Sequence, residues 1–163
     1  MRAVRPHVMI RIFPGDLVAV RAKGKYYYAL VLDRVRLFGG NWVYVFHKTS
    51  RSLIAADELL ATKQPGFHAF VDFIRAKREN RLTRIAKNVS QKPYDSVRYL
   101  KVTPTRVGKP KWWFILDMKF RELKKVRKLT KVERKYPLSG CIDVALMVTS
   151  VDHEWLPERC SYF

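Results

Sequence analysis

Short runs of β-branched and aromatic residues, separated by tight-turn signals, occupy the first fifty residues and constrain the fold most. The run LVAVRA follows PGD at 14–16, YYYALVLDRVRL follows KGK at 23–25, and WVYVFH follows FGGN at 38–41. Gly, Pro, Asn and Asp favour turns, whereas β-branched and aromatic residues favour extended backbone. We therefore predict three or four antiparallel strands that form a small, strongly bent sheet or an SH3-like half-barrel.

Aromatic residues alternate with aliphatic ones in the third run, which places Trp42, Tyr44 and Phe46 on one strand face. A stripe of this kind is most often part of a core, so we predict that it lines the inner wall of the sheet.

Three consecutive tyrosines, Tyr26, Tyr27 and Tyr28, lie near the start of the second run. Because successive strand residues point to opposite faces, we expect at least one ring on each face and one or two rings exposed. An exposed ring could stack on an unpaired base or enclose a methylated ammonium group. These three residues are therefore candidates for stacking.

The segment 67–89 has the periodicity of an amphipathic helix. Apolar residues recur at spacings of three and four from Phe67 to Ile74, and the pattern resumes from Leu82 to Val89 if the helix restarts near Asn80. We therefore predict one long or broken basic helix, with six cations on its polar face: Arg75, Lys77, Arg78, Arg81, Arg84 and Lys87.

Further short elements are predicted around this helix. Asp57 and Glu58 before two leucines indicate a helical turn, while 97–102, WWFILDM at 112–118 and CIDVALMVTSV at 141–151 have the composition of strands, the last two of them buried. Thr130 and Glu133 have the spacing of a capping box, which predicts a short helix that begins near Lys131 and ends before Pro137. These strands and helices together predict the α+β fold class, mainly antiparallel β. Because the sequence has no internal repeat and no linker, we expect a single domain of residues 1–163.

Charge is unevenly distributed along the chain. The 33 Lys and Arg against 14 Asp and Glu give a formal net charge of +19. Residues 63–135 hold 22 basic and 6 acidic residues, or +16, whereas the remaining 11 basic and 8 acidic residues give only +3. Self-repulsion of this size is relieved by an anionic partner, and a scatter of charge would serve solubility better than a block.

A second basic segment, 119–135, follows the WWFILDM run. Together with the six cations of the predicted helix, its members are candidate partner-binding residues, whether the partner is an acidic protein or, alternatively, RNA or DNA. The segment has nine cations including Arg134 and Lys135, and the seven candidates among them are Lys119, Arg121, Lys124, Lys125, Arg127, Lys128 and Lys131.

Signals for catalysis are weak. The four histidines are dispersed without metal-site spacing, and no glycine-rich phosphate loop occurs. Cys141 and His153 lack a family signature around either residue, and we expect Cys141 and Cys160 to be buried. We therefore expect a protein that is not an enzyme, without metal, cofactor or small-molecule substrate. Because no signal-peptide core or membrane-length apolar run occurs, we expect it to be soluble and cytoplasmic.

The stretch PGDLVAV at 14–20, followed by GKYYYALVL at 24–32, resembles the opening of immunity protein family twenty-six from bacterial polymorphic-toxin systems. Trp112, Trp113 and the closing stretch 136–155 are compatible with that family. The resemblance implies a protein that is not an enzyme and that binds and neutralises a cognate toxin. It implies no particular toxin-contacting residue.

A second resemblance concerns the pattern Gly-Asp-x-Val-x-Val at 15–20, which is similar to the first half of a small barrel motif found in ribosomal and transcription-elongation proteins. It implies binding to nucleic acid or the ribosome. The second, glycine-rich half of that motif is not supplied by residues 26–32, so the immunity interpretation ranks first.

Overall fold

The computed structural model describes residues 10–35, 40–61, 64–104 and 109–159. Its larger sheet has six strands in the order β5-β1-β2-β3-β4-β9, and its smaller sheet has the order β6-β7-β8. All pairings between strands are antiparallel except that of β4 with β9. The strands are β1 (Leu17–Ala22), β2 (Lys25–Arg34), β3 (Asn41–Ser50), β4 (Gly66–Asp72), β5 (Leu82–Ala86), β6 (Tyr99–Val102), β7 (Trp113–Asp117), β8 (Glu122–Val126) and β9 (Cys141–Asp143).

Within the described residues, three short helices accompany the sheets: α1 (Ala56–Leu60), α2 (Ile74–Arg78) and α3 (Val144–Asp152). Single 3-10 turns occur at Glu133–Lys135 and Pro157–Arg159. The predicted α+β class with mainly antiparallel strands is confirmed. No helix in the part of the chain that the structure describes is long and apolar enough to cross a membrane.

The PGD sequence forms the turn that leads into β1. Gly15 has φ +86°, and its amide donates to the Val31 carbonyl at 2.8 Å. The Asp16 carboxylate accepts the Phe13 amide at 3.0 Å, which closes the turn with a side chain. A Cβ at Gly15 would lie 3.3 Å from the Asn88 Cα, so glycine is required both by the positive φ and by the close approach of the backbone.

A two-residue turn joins β1 to β2. Lys23 and Gly24 have φ values of 48° and 71°, the left-handed pair that a type I′ hairpin turn requires. Ala22 pairs with Lys25 directly across it, which fixes the register of both strands. The turn signals of the sequence thus correctly predicted the start of the sheet, whereas residues 38 and 39 of the FGGN turn lie outside the described residues.

One face of the six-stranded sheet packs against α3. Val18 and Val43 belong to the same hydrophobic cluster as Met147 and Val148 of the helix. The α3 helix begins at Val144, and the carboxylate of the preceding Asp143 accepts the Leu146 amide at 2.8 Å as an N-cap.

The opposite face of the sheet carries the aromatic stripe. Trp42, Tyr44 and Phe46 are all buried and share a cluster with Leu59 of α1 and Leu100 of β6. The prediction that the stripe lies in a core is confirmed. Since the valines between these aromatic residues are also buried, the sheet is covered on both faces.

The predicted helix over 67–89 is wrong. That segment contains β4, the single turn of α2, and β5, with Asn80 at φ 52° where the chain reverses. In β4, Phe67 and Val71 contribute to the core cluster on the α3 side, and Phe70 contributes to the opposite cluster. A strand buried on both faces has apolar residues at almost every position, so it also satisfies a helical spacing.

The predicted final strand over 141–151 is also wrong beyond its first residues. Only Cys141–Asp143 is extended, and the chain then forms α3. Val144, Met147, Val148 and Val151 are buried at the spacing of a helix. The β-branched composition favoured a strand, but the Asp143 cap and the helical spacing of the buried positions determine the structure.

Candidate anion-binding surface

The second basic segment forms part of a β-hairpin. Residues 118–121 turn the chain from β7 to β8, with Phe120 at φ 62°. The Asp117 carboxylate accepts the backbone amides of Lys119 at 2.8 Å and Arg121 at 3.0 Å, and Arg121 Nε also donates to it at 2.7 Å. The hydrogen bond from the Arg121 amide holds the pKa of Asp117 below its usual value. The predicted strand over 112–118 is confirmed as β7, but the expectation that this strand is buried is wrong, because only Ile115 of β7 is buried.

An aromatic and cationic group lies on one face of this hairpin, and we call it the hairpin cluster: Trp112, Phe114, Lys125 and Arg127. Lys125 pairs with Phe114 across the strands, and its Nζ lies 4.6 Å from the Trp112 ring centroid and 5.5 Å from that of Phe114. The Arg127 guanidinium lies 4.9 Å from the Trp112 ring. Each cation–π contact at an exposed site contributes about 0.5–1 kcal/mol, so both exposed cations are oriented and still accessible to an anion.

Lys124, on the other face of β8, has a structural partner. Its Nζ donates to Glu133 Oε1 at 2.7 Å, and Glu133 Oε2 accepts the Thr130 amide at 2.7 Å. The Glu133 amide in turn donates to Thr130 Oγ1 at 3.2 Å, so the predicted capping box is confirmed. The helical structure that follows this box is only the 3-10 turn Glu133–Lys135. Lys124, followed by the Thr130 amide, keeps the pKa of Glu133 low.

A buried lysine holds the chain behind this turn against the smaller sheet. Lys101 of β6 is 1% exposed, and its Nζ donates to the carbonyls of Arg134 and, at 2.7 Å, of Pro157. Both 3-10 turns are therefore connected to β6 through one ammonium group. This lysine contributes to the basic block in the sequence but not to the accessible surface.

The cations of the wrongly predicted helix do not share one face. Arg75 and Arg81 both pair with Glu79, and Arg84 pairs with the buried Asp16 at 3.1 Å. Lys77 is half-buried, and only Arg78 and Lys87 of the six are exposed without an ion pair in the described part of the chain. Some of the candidates at 75–87 therefore form ion pairs within the protein, and the others do not share one surface. The candidates at 125–131 are all exposed.

Two of the three stacking candidates are inaccessible. Tyr27 and Tyr28 are fully buried, on opposite faces of the sheet. The Tyr27 hydroxyl donates to Asp152 at 2.8 Å, and the Tyr28 hydroxyl accepts the Ile54 amide at 3.1 Å. The prediction of stacking is wrong for these two rings, because neither ring is accessible to a base; Tyr26 is half-buried.

The expected burial of the cysteines is wrong for Cys141, which is exposed; Cys160 lies outside the described residues. Cys141 and His153 both line a cavity of about 500 Å³ beside α3 and β6. No hydrogen bond joins them, and within the described ranges no three His, Cys, Asp or Glu side chains are arranged to hold a metal ion.

Sequence reasoning considered Trp112 as an aromatic residue that could stack on a base, but it did not connect Trp112 and Phe114 with the cations of the following basic segment. The signal was present, because basic residues at 124–128 follow the WWFILDM run at the distance of a hairpin partner. Comparison of the chain with protein-family models, curated proteins and solved structures finds no match.

Proposed function

We propose that this chain is a binding protein without catalytic activity that recognises an acidic protein, and that this partner is a cognate bacterial toxin. The hairpin cluster carries the proposal, since Lys125 and Arg127 lie exposed over the Trp112 ring. Trp and Arg are enriched among the residues that dominate binding energy at protein interfaces. A partner carboxylate would pair with the cations while an apolar neighbour contacts the ring.

The resemblance of residues 14–32 to immunity proteins supports the choice of toxin as partner. Its motif residues form the two turns around β1, where Gly15 and Gly24 have positive φ. These turns determine the fold of this region, and the residues that would contact the toxin lie elsewhere in the chain. β5 returns to pair with β1 at one edge of the open sheet, so the first five strands lie in the order β5-β1-β2-β3-β4, and this order supports an SH3-like half-barrel.

Binding to single-stranded nucleic acid is the second candidate. Trp112 and Phe114 lie two positions apart on one side of the hairpin, and Lys125 lies beside both rings. Aromatic side chains next to cations bind bases by stacking and phosphates by charge. The net charge of +19 favours this partner as well, through counter-ion release.

The test is co-purification from native cells, followed by reconstitution. Wild-type protein should recover a toxin whose growth arrest in a co-expression assay is reversed by this chain. The variant Lys125→Glu/Arg127→Glu should lose both capture and protection. The matched control Lys48→Glu/Arg51→Glu makes the same charge change at exposed positions on and just after β3, and should retain both.

Recovery of ribosomes or nucleic acid without a toxin would reject the toxin proposal in favour of the second candidate. Equal protection by the hairpin variant and the control variant would reject the assignment of the surface.

A further inference from the structure

A second positively charged site lies away from the hairpin. A cavity of about 650 Å³ is lined by the cations Arg11, Arg34 and Lys77, with Asn41 among them. Arg34 is at the end of β2, Asn41 begins β3, Lys77 lies on α2, and Arg11 precedes the PGD turn. The fold therefore brings together cations that are far apart in sequence, in a cavity of the size that binds small molecules, about 300–1,000 Å³.

The cations that line this cavity repel one another more than any neighbouring carboxylate offsets. None of them forms an ion pair with a carboxylate in the described part of the chain, unlike Arg75, Arg81 and Arg84. Burial and then the charge of Arg34 lower the pKa of Lys77, and the opposing effect of Asp72 is smaller. The Asp72 carboxylate already accepts the Ile74 amide at 2.8 Å. An anion in the cavity would relieve this repulsion.

The remaining lining residues are apolar. Ile10, Ile12, Phe13 and Ile74 complete the wall, and Phe13 and Ile74 are 53% and 44% exposed. Large exposed apolar side chains beside a cationic cavity suit a ligand that has a charged group and an uncharged, flat or apolar part.

We propose that this cavity binds a small phosphate monoester, with Arg11, Arg34 and Lys77 on the phosphate and the apolar residues against the organic part. Two guanidinium groups match the geometry of phosphate oxygens, and a dianion compensates three cations better than one carboxylate does. This site is separate from the hairpin cluster and does not depend on the proposed function.

The test is calorimetric titration of the full chain with adenosine 5′-monophosphate as probe, and with adenosine, inorganic phosphate and succinate as comparators. The nucleotide should bind, with an affinity that falls as salt is added, and adenosine should not. Phosphate and succinate should each bind more weakly than the nucleotide. Lys77→Met and Arg34→Gln should each weaken nucleotide binding on the order of tenfold.

The control is Arg78→Gln, which removes an exposed cation from the same short helix but outside the cavity, and it should leave nucleotide affinity unchanged. Arg34→Lys keeps the charge without the guanidinium and should give an intermediate loss. Thermal melting checks folding, and Lys77→Met should melt no lower than the wild type because it removes a half-buried charge.

The proposal would be overturned by absence of nucleotide binding, by equal affinity in Lys77→Met and wild type, or by binding of adenosine or succinate as tight as that of the nucleotide. The hairpin variant Lys125→Glu/Arg127→Glu should bind the nucleotide as the wild type does. Loss of nucleotide binding in that variant would place the site on the hairpin and equally reject the cavity.

Discussion

Replacement of Glu133 tests whether the capping box holds the 3-10 turn against the hairpin. Its buried carboxylate accepts the Thr130 amide and Lys124 Nζ, both at 2.7 Å. The capping bond contributes about 1 kcal/mol, and the pair with the half-exposed Lys124 contributes up to about 1 kcal/mol. Glu133→Ala should therefore lower stability by about 2 kcal/mol, or Tm by about 4–8 °C for a chain of this length.

Glu133→Gln keeps an acceptor oxygen for the Thr130 amide and loses the charge, so it should cost about 1 kcal/mol or less. Glu122→Ala, at an exposed position on the same hairpin, is the control and should be nearly neutral. Thermal unfolding followed by circular dichroism measures all three. A double-mutant cycle with Lys124→Met isolates the ion pair.

The pH dependence gives an independent check. The folded-state pKa of Glu133 is lowered, so its contribution is complete above the ordinary glutamate pKa and is lost as pH falls through the folded value. The difference between wild type and Glu133→Gln should therefore shrink in acid. The reasoning would be refuted if Glu133→Ala had the same Tm as the Glu122→Ala control. It would also be refuted if the stability difference between wild type and Glu133→Gln stayed unchanged in acid.

Two further predictions concern the sheet. Gly15→Ala should destabilise the protein by about 1–2 kcal/mol or more, because φ is +86° and the new Cβ would meet the Asn88 backbone. Gly140→Ala is the control, since no atom lies within 4 Å of its new Cβ, and it should leave the Tm nearly unchanged in thermal unfolding. Burial raises the pKa of Tyr27 and of Tyr44 to about 12, so the contribution of these two tyrosines to folding stability should be complete below pH 10 and decline as pH rises towards 12. Tyrosinate absorbance should then show late ionisation, one component of which Tyr27→Phe removes; ionisation of all tyrosines near pH 10 in the folded protein would contradict this.

Local sequence determined those parts of the fold that depend only on residues a few positions apart in the chain. The turns at Gly15 and Lys23-Gly24 depend on residues that tolerate positive φ, and the capping box depends on two side chains three positions apart. The start of the larger sheet, the turn of α1 and the strand at 112–118 could be predicted for the same reason. No distant contact was needed to specify them.

The elements that were predicted wrongly depend on what covers them. The segment of β4 is apolar enough for a helix, and it is a strand because β3 and β9 pair with its two edges while clusters form on both of its faces. The residues after Asp143 have strand composition, and they form a helix because Val144 and Val148 then reach the sheet from one side. Periodicity cannot report two-sided burial, since an element buried on all sides has no polar face to mark the period.

The sequence by itself determined that this chain is strongly basic between 63 and 135 and begins with a hairpin-rich sheet. Only the tertiary structure decided which cations are available. It pairs Arg84 with Asp16, buries Lys101 against two carbonyls, leaves Lys125 and Arg127 exposed over Trp112, and brings Arg11 to the cavity that Arg34 lines. The physical reason is that charge is a property of each residue, whereas its neutralisation depends on neighbours that the fold supplies from distant positions in the chain.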